Sequence, residues 1–184
     1  TLSLLLDQID LLTKIASEFS DFAKMGEGHP AQIDLRVLLR NVASLYSDHD
    51  GIEVRLEPGP DTGPVWVTAD ADHLTRVFVN ICQNAVQAVG DRPDGRIGIE
   101  LHLSDGRVRV RISDNGAGIP EEIQAKIFVP NFTTKSSGSG LGLPISRKII
   151  ELLGGSIGFE SIPGEGTTFV VDLPIDDAEQ PAET

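Results

Sequence analysis

Asp114, Gly116 and Gly118 stand in the run Asp114-Asn115-Gly116-Ala117-Gly118-Ile119-Pro120, a carboxylate closing an apolar stretch with two glycines beside it. A carboxylate in that place can accept the exocyclic N–H of adenine, and the glycines let the chain turn around the ring. Further on, Gly138-Ser139-Gly140-Leu141-Gly142-Leu143-Pro144 opens directly into a helical pattern. Glycine-rich chain entering a helix bares N–H groups that receive phosphate. The two clusters read as a nucleotide pocket, with the base at Asp114 and the phosphates at the second. That second cluster lacks the Gly-x-x-x-x-Gly-Lys-Ser/Thr spacing of the ordinary P-loop. Nor is it a Gly-x-Gly-x-x-Gly following a strand, so a dinucleotide fold is not expected.

Upstream, Asn80, Asn84 and Gln87 fall on one side of a long helical pattern. The uncharged side-chain oxygen of Asn84 suits magnesium, a hard cation that keeps several waters and borrows phosphate oxygens. Asn80, one turn earlier, could reach the same phosphates, and an amide in so apolar a helix is costly without a partner. Between Phe128 and Gly138 the chain is polar, as a mobile lid would be, and Lys135 within it could meet phosphate. Ile112, Ile119, Phe128 and Leu141 are candidate apolar walls. Bland readings stand beside these: an Asp-x-Gly-x-Gly also makes a tight turn, the four apolar residues equally suit a core, and Lys135 equally suits a solvated surface.

These residues need elements to hold them. Residues 1–25 carry Leu2, Leu5, Ile9, Leu12, Ala16, Phe19 and Ala23 at heptad spacing, which predicts one long amphipathic bundle helix. With no partner of its kind in the chain, it must pack on the domain that follows or on a second copy, and pairing with a second copy into a homodimer is the hypothesis. Residues 26–30, Gly26-Glu27-Gly28-His29-Pro30, form a linker. A short strand is expected over Ala31–Leu35 and another over Val65–Thr68. Asp34 caps a helix running through Tyr46, and Asp70 caps the long helix Ala71–Val89. Ile52, Val54 and Leu56 alternate with charged residues as a half-buried strand. Arg96–Leu103 and Arg107–Ser113 alternate around Asp105-Gly106, a strong hairpin signal. Pro120-Glu121-Glu122 opens a short helix, Pro144–Leu153 is a further one, and Ser156–Glu160 and Thr167–Leu173 are closing strands. The whole predicts an α+β fold: a two-layer sandwich of a mixed, mainly antiparallel sheet covered by helices on one face. Residues 31–174 would be that domain, and 175–184 an acidic, disordered tail.

Bulk properties exclude some functions. A formal charge of −13 argues against a general nucleic-acid surface. No apolar run of about 18 residues is present to span a membrane. The single cysteine, Cys82, cannot form an internal disulfide and fits a reducing compartment, where it reads as a small buried side chain. The chain opens on Thr1 and shows no signal-peptide pattern, so it is expected to be a piece of a longer one.

Taken together, the motifs carry a resemblance. Asn80–Ala85 resembles the N box of sensor histidine kinases, Asp114–Gly118 their G1 box, Phe128–Phe132 their F box and Gly138–Leu143 their G2 box. Order and spacing match, and Gly166-Thr167-Thr168-Phe169 resembles the strand closing the same pocket. The likeness covers residues 31–174, the ATP-binding catalytic domain of the GHKL superfamily. It implies an ATP site of Asn80, Asn84, Asp114, Gly116, Gly118, Ile119, Phe128, Thr133, Lys135, Gly138, Ser139, Gly140, Leu141, Gly142 and Thr167. In it Asn84 is the magnesium ligand, Asp114 the adenine anchor, and Thr167 supports Asp114 through water. Thr133-Thr134-Lys135 and the Gly-Leu-Gly-Leu ending are similar to the nitrogen-regulation sensor-kinase subgroup. Residues 1–25 resemble the second helix of the family's dimerisation and phosphotransfer hairpin.

What the resemblance implies is transfer of the γ-phosphoryl of ATP to a histidine outside this piece, for relay to the aspartate of a response-regulator receiver domain. A cytoplasmic location goes with it, any membrane attachment lying in other parts of the parent chain. The first hairpin helix, with its phospho-accepting histidine, has no counterpart here. His29, His49, His73 and His102 sit in a linker, a loop, a helix start and a strand, so the piece is expected to bind ATP without autophosphorylating. The alternatives are a GHKL-type ATPase, a Ser/Thr kinase on the same fold, or a non-catalytic nucleotide-sensing dimerisation module. Gyrase-like and chaperone-like members carry a glutamate where this chain has Asn80, which disfavours hydrolysis.

Overall fold

A computed structural model describes Ile9, Thr13 and residues 28–47, 51–57, 63–90, 92–134 and 138–176. Of the expected helix over 1–25, Ile9 and Thr13 are helical and joined by a Thr13 Oγ1 to Ile9 carbonyl bond of 2.8 Å. The rest of that segment, like Lys135 and residues 177–184, lies outside the described residues.

In chain order the elements are β1 (Ala31–Asp34), α1 (Leu35–Ser44), β2 (Ile52–Glu57), β3 (Trp66–Ala69) and α2 (Ala71–Val89). There follow β4 (Gly95–Ser104), β5 (Arg107–Asp114), α3 (Glu121–Gln124), α4 (Gly142–Leu152), β6 (Ser156–Ile162) and β7 (Gly166–Pro174). Five strands form one sheet in the order β2-β4-β5-β7-β6. β2 runs parallel to β4 and the other pairs are antiparallel, so the sheet is mixed and mainly antiparallel. The parallel pair follows from the crossover through β3 and α2, which returns the chain to the same end of the sheet.

Alternation decides which face is covered. Val108, Val110 and Ile112 of β5 are buried, while Arg107, Arg109 and Arg111 point to the other face. Leu74, Phe78 and Ile81 of α2 are fully buried in the same core, each contributing about 1.5–3 kcal/mol of hydrophobic stabilisation. On the opposite face Arg109 makes a two-pronged ion pair with Asp172, at 3.0 and 3.2 Å. The result is a two-layer α+β sandwich.

The caps stand where the residues place them. Asp70 accepts from the backbone N–H groups of Asp72 and His73, both at 3.0 Å, and Asp34 from Arg36 at 3.0 Å. Asp105 and Gly106 both have positive φ, 51° and 71°, the two-residue turn that matches strand twist. Three features differ from expectation. β1 and β3 pair with each other as a separate two-stranded sheet, a pairing without local signal. α4 begins at Gly142, not Pro144, because a proline in the first turn gives up an N–H that has no partner there anyway. Ile175 and Asp176, assigned by composition to the tail, are held by the domain. Ile175 donates to the Gly106 carbonyl at 3.1 Å, and Asp176 to the Trp66 carbonyl at 2.9 Å.

Candidate functional site

A cleft of about 310 Å³ lies between α2, the start of α4 and the ends of β5 and β7. Asp114 ends β5 and pairs directly with Thr167 of β7, which pairs with Ser161 of β6. Three oxygen-bearing side chains thus form one row across three strands. Asp114 accepts the Gly116 N–H at 2.8 Å and a second backbone hydrogen bond from Thr167. Burial nevertheless outweighs both donors and holds its carboxyl above the usual carboxylate range.

The turn after Asp114 is pressed against the scaffold. A Cβ on Gly116 would lie 2.5 Å from the carbonyl of Ala88 on α2, and Ala117 donates to that carbonyl at 3.0 Å. Gly118, at φ 70°, lies so close to the Ile162 carbonyl that a side chain would collide with it. Ile119 is held from both sides, its N–H by Ser161 Oγ at 2.8 Å and its carbonyl by the Gln124 amide at 2.9 Å.

At the other end the glycine-rich chain closes a loop. Asn131 and Gly140 are both left-handed, at φ 62° and 69°, and the Asn131 N–H donates to the Gly140 carbonyl at 3.1 Å. Thr133, Gly138, Ser139 and Gly142 line the cleft there. Gly142 packs on the side chain of Asn80, whose amide donates to Ser146 Oγ on α4 at 3.0 Å. Asn80 therefore braces α2 against α4 while also lining the cleft.

Asn80, Asn84, Asp114, Gly118, Ile119, Thr133, Gly138, Ser139, Gly140, Gly142 and Thr167 all lie along this one cleft. Gly116, Phe128 and Leu141 do not line it. Gly116 backs onto Ala88, and Leu141 packs against the core. Phe128 lies 6.1 Å from the Phe159 ring and under the Arg147 guanidinium at 4.6 Å. Ile123 of α3 and Ile127 in the turn after it add apolar wall that sequence reading passed over. Ser161 was also missed, because an isolated serine in a strand carries no local signal.

The lining has one carboxylate, Asp114, and among the described residues no lysine or arginine. Nor do the described residues hold a group of three or more His, Cys, Asp or Glu able to bind a metal. None of His29, His73 and His102 lines the cleft; the backbone of His29 donates to Asp70 at 2.8 Å, and His102 meets Glu100 at 3.1 Å on the outer sheet face. No helix among the described residues is long and apolar enough to cross a membrane.

Comparison with known proteins gives a consistent set. Residues 69–177 match the family described as histidine kinase-, DNA gyrase B-, and HSP90-like ATPase. The chain is 37% identical over 179 residues to the signal transduction histidine-protein kinase AtoS of Escherichia coli (strain K12), covering 95% of this chain and 29% of AtoS. Among solved structures, full-length ShkA in complex with AMPPNP superposes with a TM-score of 0.75 at 30% identity, covering 94% of this chain and 37% of that one. Histidine kinase ThkA in complex with the response regulator protein TrrA does so at 0.73 and 30%, covering 96% and 51%. The chain thus spans under a third of the length of AtoS.

Proposed function

The chain belongs to the histidine kinase-, DNA gyrase B- and HSP90-like ATPase family, and on that premise we propose that it is the ATP-holding, phosphoryl-donating part of a two-component sensor histidine kinase. The observation that carries this reading is the polarity of one cleft, with a half-buried carboxylate beside Thr167 at one end and a glycine-rich helix entrance at the Asn84 end. Asp114 accepts the adenine amino group, Ile119 supplies apolar surface to the ring, and Gly138 to Gly142 approach the phosphates closely. Phosphoryl transfer is mostly positioning and charge neutralisation. The γ-phosphorus–oxygen bond breaks, a phosphorus–nitrogen bond forms on a histidine outside the cleft, and ADP leaves.

The donor set fits magnesium. Asn84 offers one hard oxygen, and among the described residues no carboxylate cluster or cationic lining competes with a metal shared by phosphate oxygens. When bound, Mg²⁺ would neutralise phosphate charge that the described lining leaves unmet. Lys135, outside the described residues, is proposed as a further cation of the loop. Residues 1–25 are proposed as a hairpin helix that pairs with a second copy and contributes to receiver docking. That likeness to ThkA captured with a response regulator extends over 96% of the chain supports this. Hydrolysis is the weaker reading, since Asn80 is a neutral amide committed to Ser146 and cannot activate water.

Radiolabelled ATP tests the proposal. The chain alone should remain unlabelled, while addition of a histidine-bearing dimerisation hairpin from a related kinase should yield acid-labile phosphoprotein on the hairpin. Release of inorganic phosphate without labelling of either chain would contradict it.

A further inference from the structure

Ser161 lies outside the cleft, yet its hydroxyl is the only protein partner of the Thr167 hydroxyl among the described residues, at 2.9 Å. A serine hydroxyl has one proton to give and two lone pairs to receive with. Ser161 Oγ receives the Ile119 N–H at 2.8 Å and lies 3.1 Å from the Gly166 carbonyl, which can only accept. With the Ser161 proton on Gly166, the 2.9 Å contact requires Thr167 to donate to Ser161. The reverse assignment would leave the Gly166 carbonyl without that donor and turn the Thr167 proton towards the cleft, away from the one acceptor it has among the described residues. Thr167 is only 4% exposed, so an unmatched proton there is costly.

We infer that Ser161 is a specificity-determining positioning residue: by taking the Thr167 proton, it leaves the Asp114–Thr167 pair at the base end of the cleft with acceptors only. Asp114 presents carboxylate oxygens and Thr167 presents lone pairs, side by side in the strand register. Two adjacent acceptors call for a ligand group that itself brings two hydrogens. An exocyclic amine meets that demand. A ring carbonyl in its place would set acceptor against acceptor, the kind of mismatch that buried polar sites reject strongly. Ser161 thus selects amino-bearing bases without touching them, and at the same time fixes the Ile119 backbone that faces the ring.

This inference rests on reading the cleft as an adenine-nucleotide site, and calorimetry can separate the two. Wild-type chain, with Mg²⁺ present, is titrated with ATP and with inosine triphosphate, which carries a carbonyl at position six. ATP should bind at least about tenfold tighter. Ser161→Ala frees the Thr167 hydroxyl to rotate and donate into the cleft, so the ATP-to-inosine ratio should fall by roughly tenfold. Ser161→Thr keeps the oxygen and should restore the ratio. A purely structural role would weaken both nucleotides by the same factor; an unchanged ratio in Ser161→Ala overturns the inference and leaves the ATP site standing. Should Ser161→Ala not fold, wild-type chain binding both nucleotides within threefold overturns it equally. Wild-type chain binding neither removes the site reading and this inference together.

Discussion

At one end of the cleft, Gly116 and Gly118 lie against backbone, the carbonyl of Ala88 on α2 and that of Ile162 at the end of β6. At the other, Gly142 lies against a side chain, that of Asn80, and Gly140 against the neighbouring loop residues Asn131 and Phe132. Backbone in a helix or strand cannot yield without disturbing its ladder, whereas a side chain can rotate and a loop can shift. The base end is therefore set by the scaffold before any ligand arrives. The phosphate end is held by one backbone bond across the loop and by the Asn80–Ser146 brace. A rigid base site with an adjustable phosphate site suits an enzyme that must keep its nucleotide while presenting the γ-phosphoryl to another domain.

Substitutions at the two ends should separate them. Gly118→Ala imposes a left-handed alanine and a collision with the Ile162 carbonyl, so thermal unfolding should show a loss of about 3 kcal/mol. Gly142→Ala needs only displacement of the Asn80 amide and should cost about 1 kcal/mol or less by the same measurement. Equal losses would break the contrast. At the phosphate end, Asn84→Ala should weaken Mg-ATP by roughly tenfold, about one hydrogen-bonding or metal-ligand contact, while ATP in excess chelator binds both proteins alike. Equal weakening with and without the metal would place Asn84 elsewhere in the account.

Proton linkage gives a finer test. Burial raises the Asp114 carboxyl above its ordinary value, against the pull of the Gly116 and Thr167 N–H groups. For a raised carboxyl, the stability it contributes is present below its unfolded value and is lost as pH rises through the folded one. Base recognition runs the other way, because only the ionised form leaves both carboxyl oxygens as acceptors without a proton of their own. The affinity advantage of wild type over Asp114→Asn should therefore shrink as pH falls, starting above the usual carboxylate range near ~3.9. Comparing the two proteins at each pH cancels titration of the phosphates. A constant ratio down to that range would contradict the burial argument.

Much of the fold was legible because its signals are local. Asp34 and Asp70 announce helix starts, Asp105-Gly106 announces a hairpin, and the Val108, Val110, Ile112 alternation announces a buried face. The pairing of β1 with β3 was not legible, because short strands far apart in sequence carry no register information. In the site, Asp114 and the glycines stood out by type and spacing, yet what each glycine avoids is set by tertiary contact and cannot be read from a run of letters. Phe128 looked like a wall of the cleft by its position in a motif; its ring instead lies between Phe159 and Arg147. Ser161 is the extreme case: its importance lies entirely in three partners at positions 119, 166 and 167, two of them across a hairpin turn.

The most direct test of the account is calorimetry of Mg-ATP on wild type and on Asp114→Asn. The amide is nearly the same size but turns one acceptor into a donor, facing either the backbone N–H groups that hold the carboxylate or the adenine amine. Affinity should fall by roughly a hundredfold, about 3 kcal/mol for a charge-assisted contact, with the folded state retained. Wild-type affinity in Asp114→Asn would contradict the assignment of the base end, and with it the reading of the whole cleft.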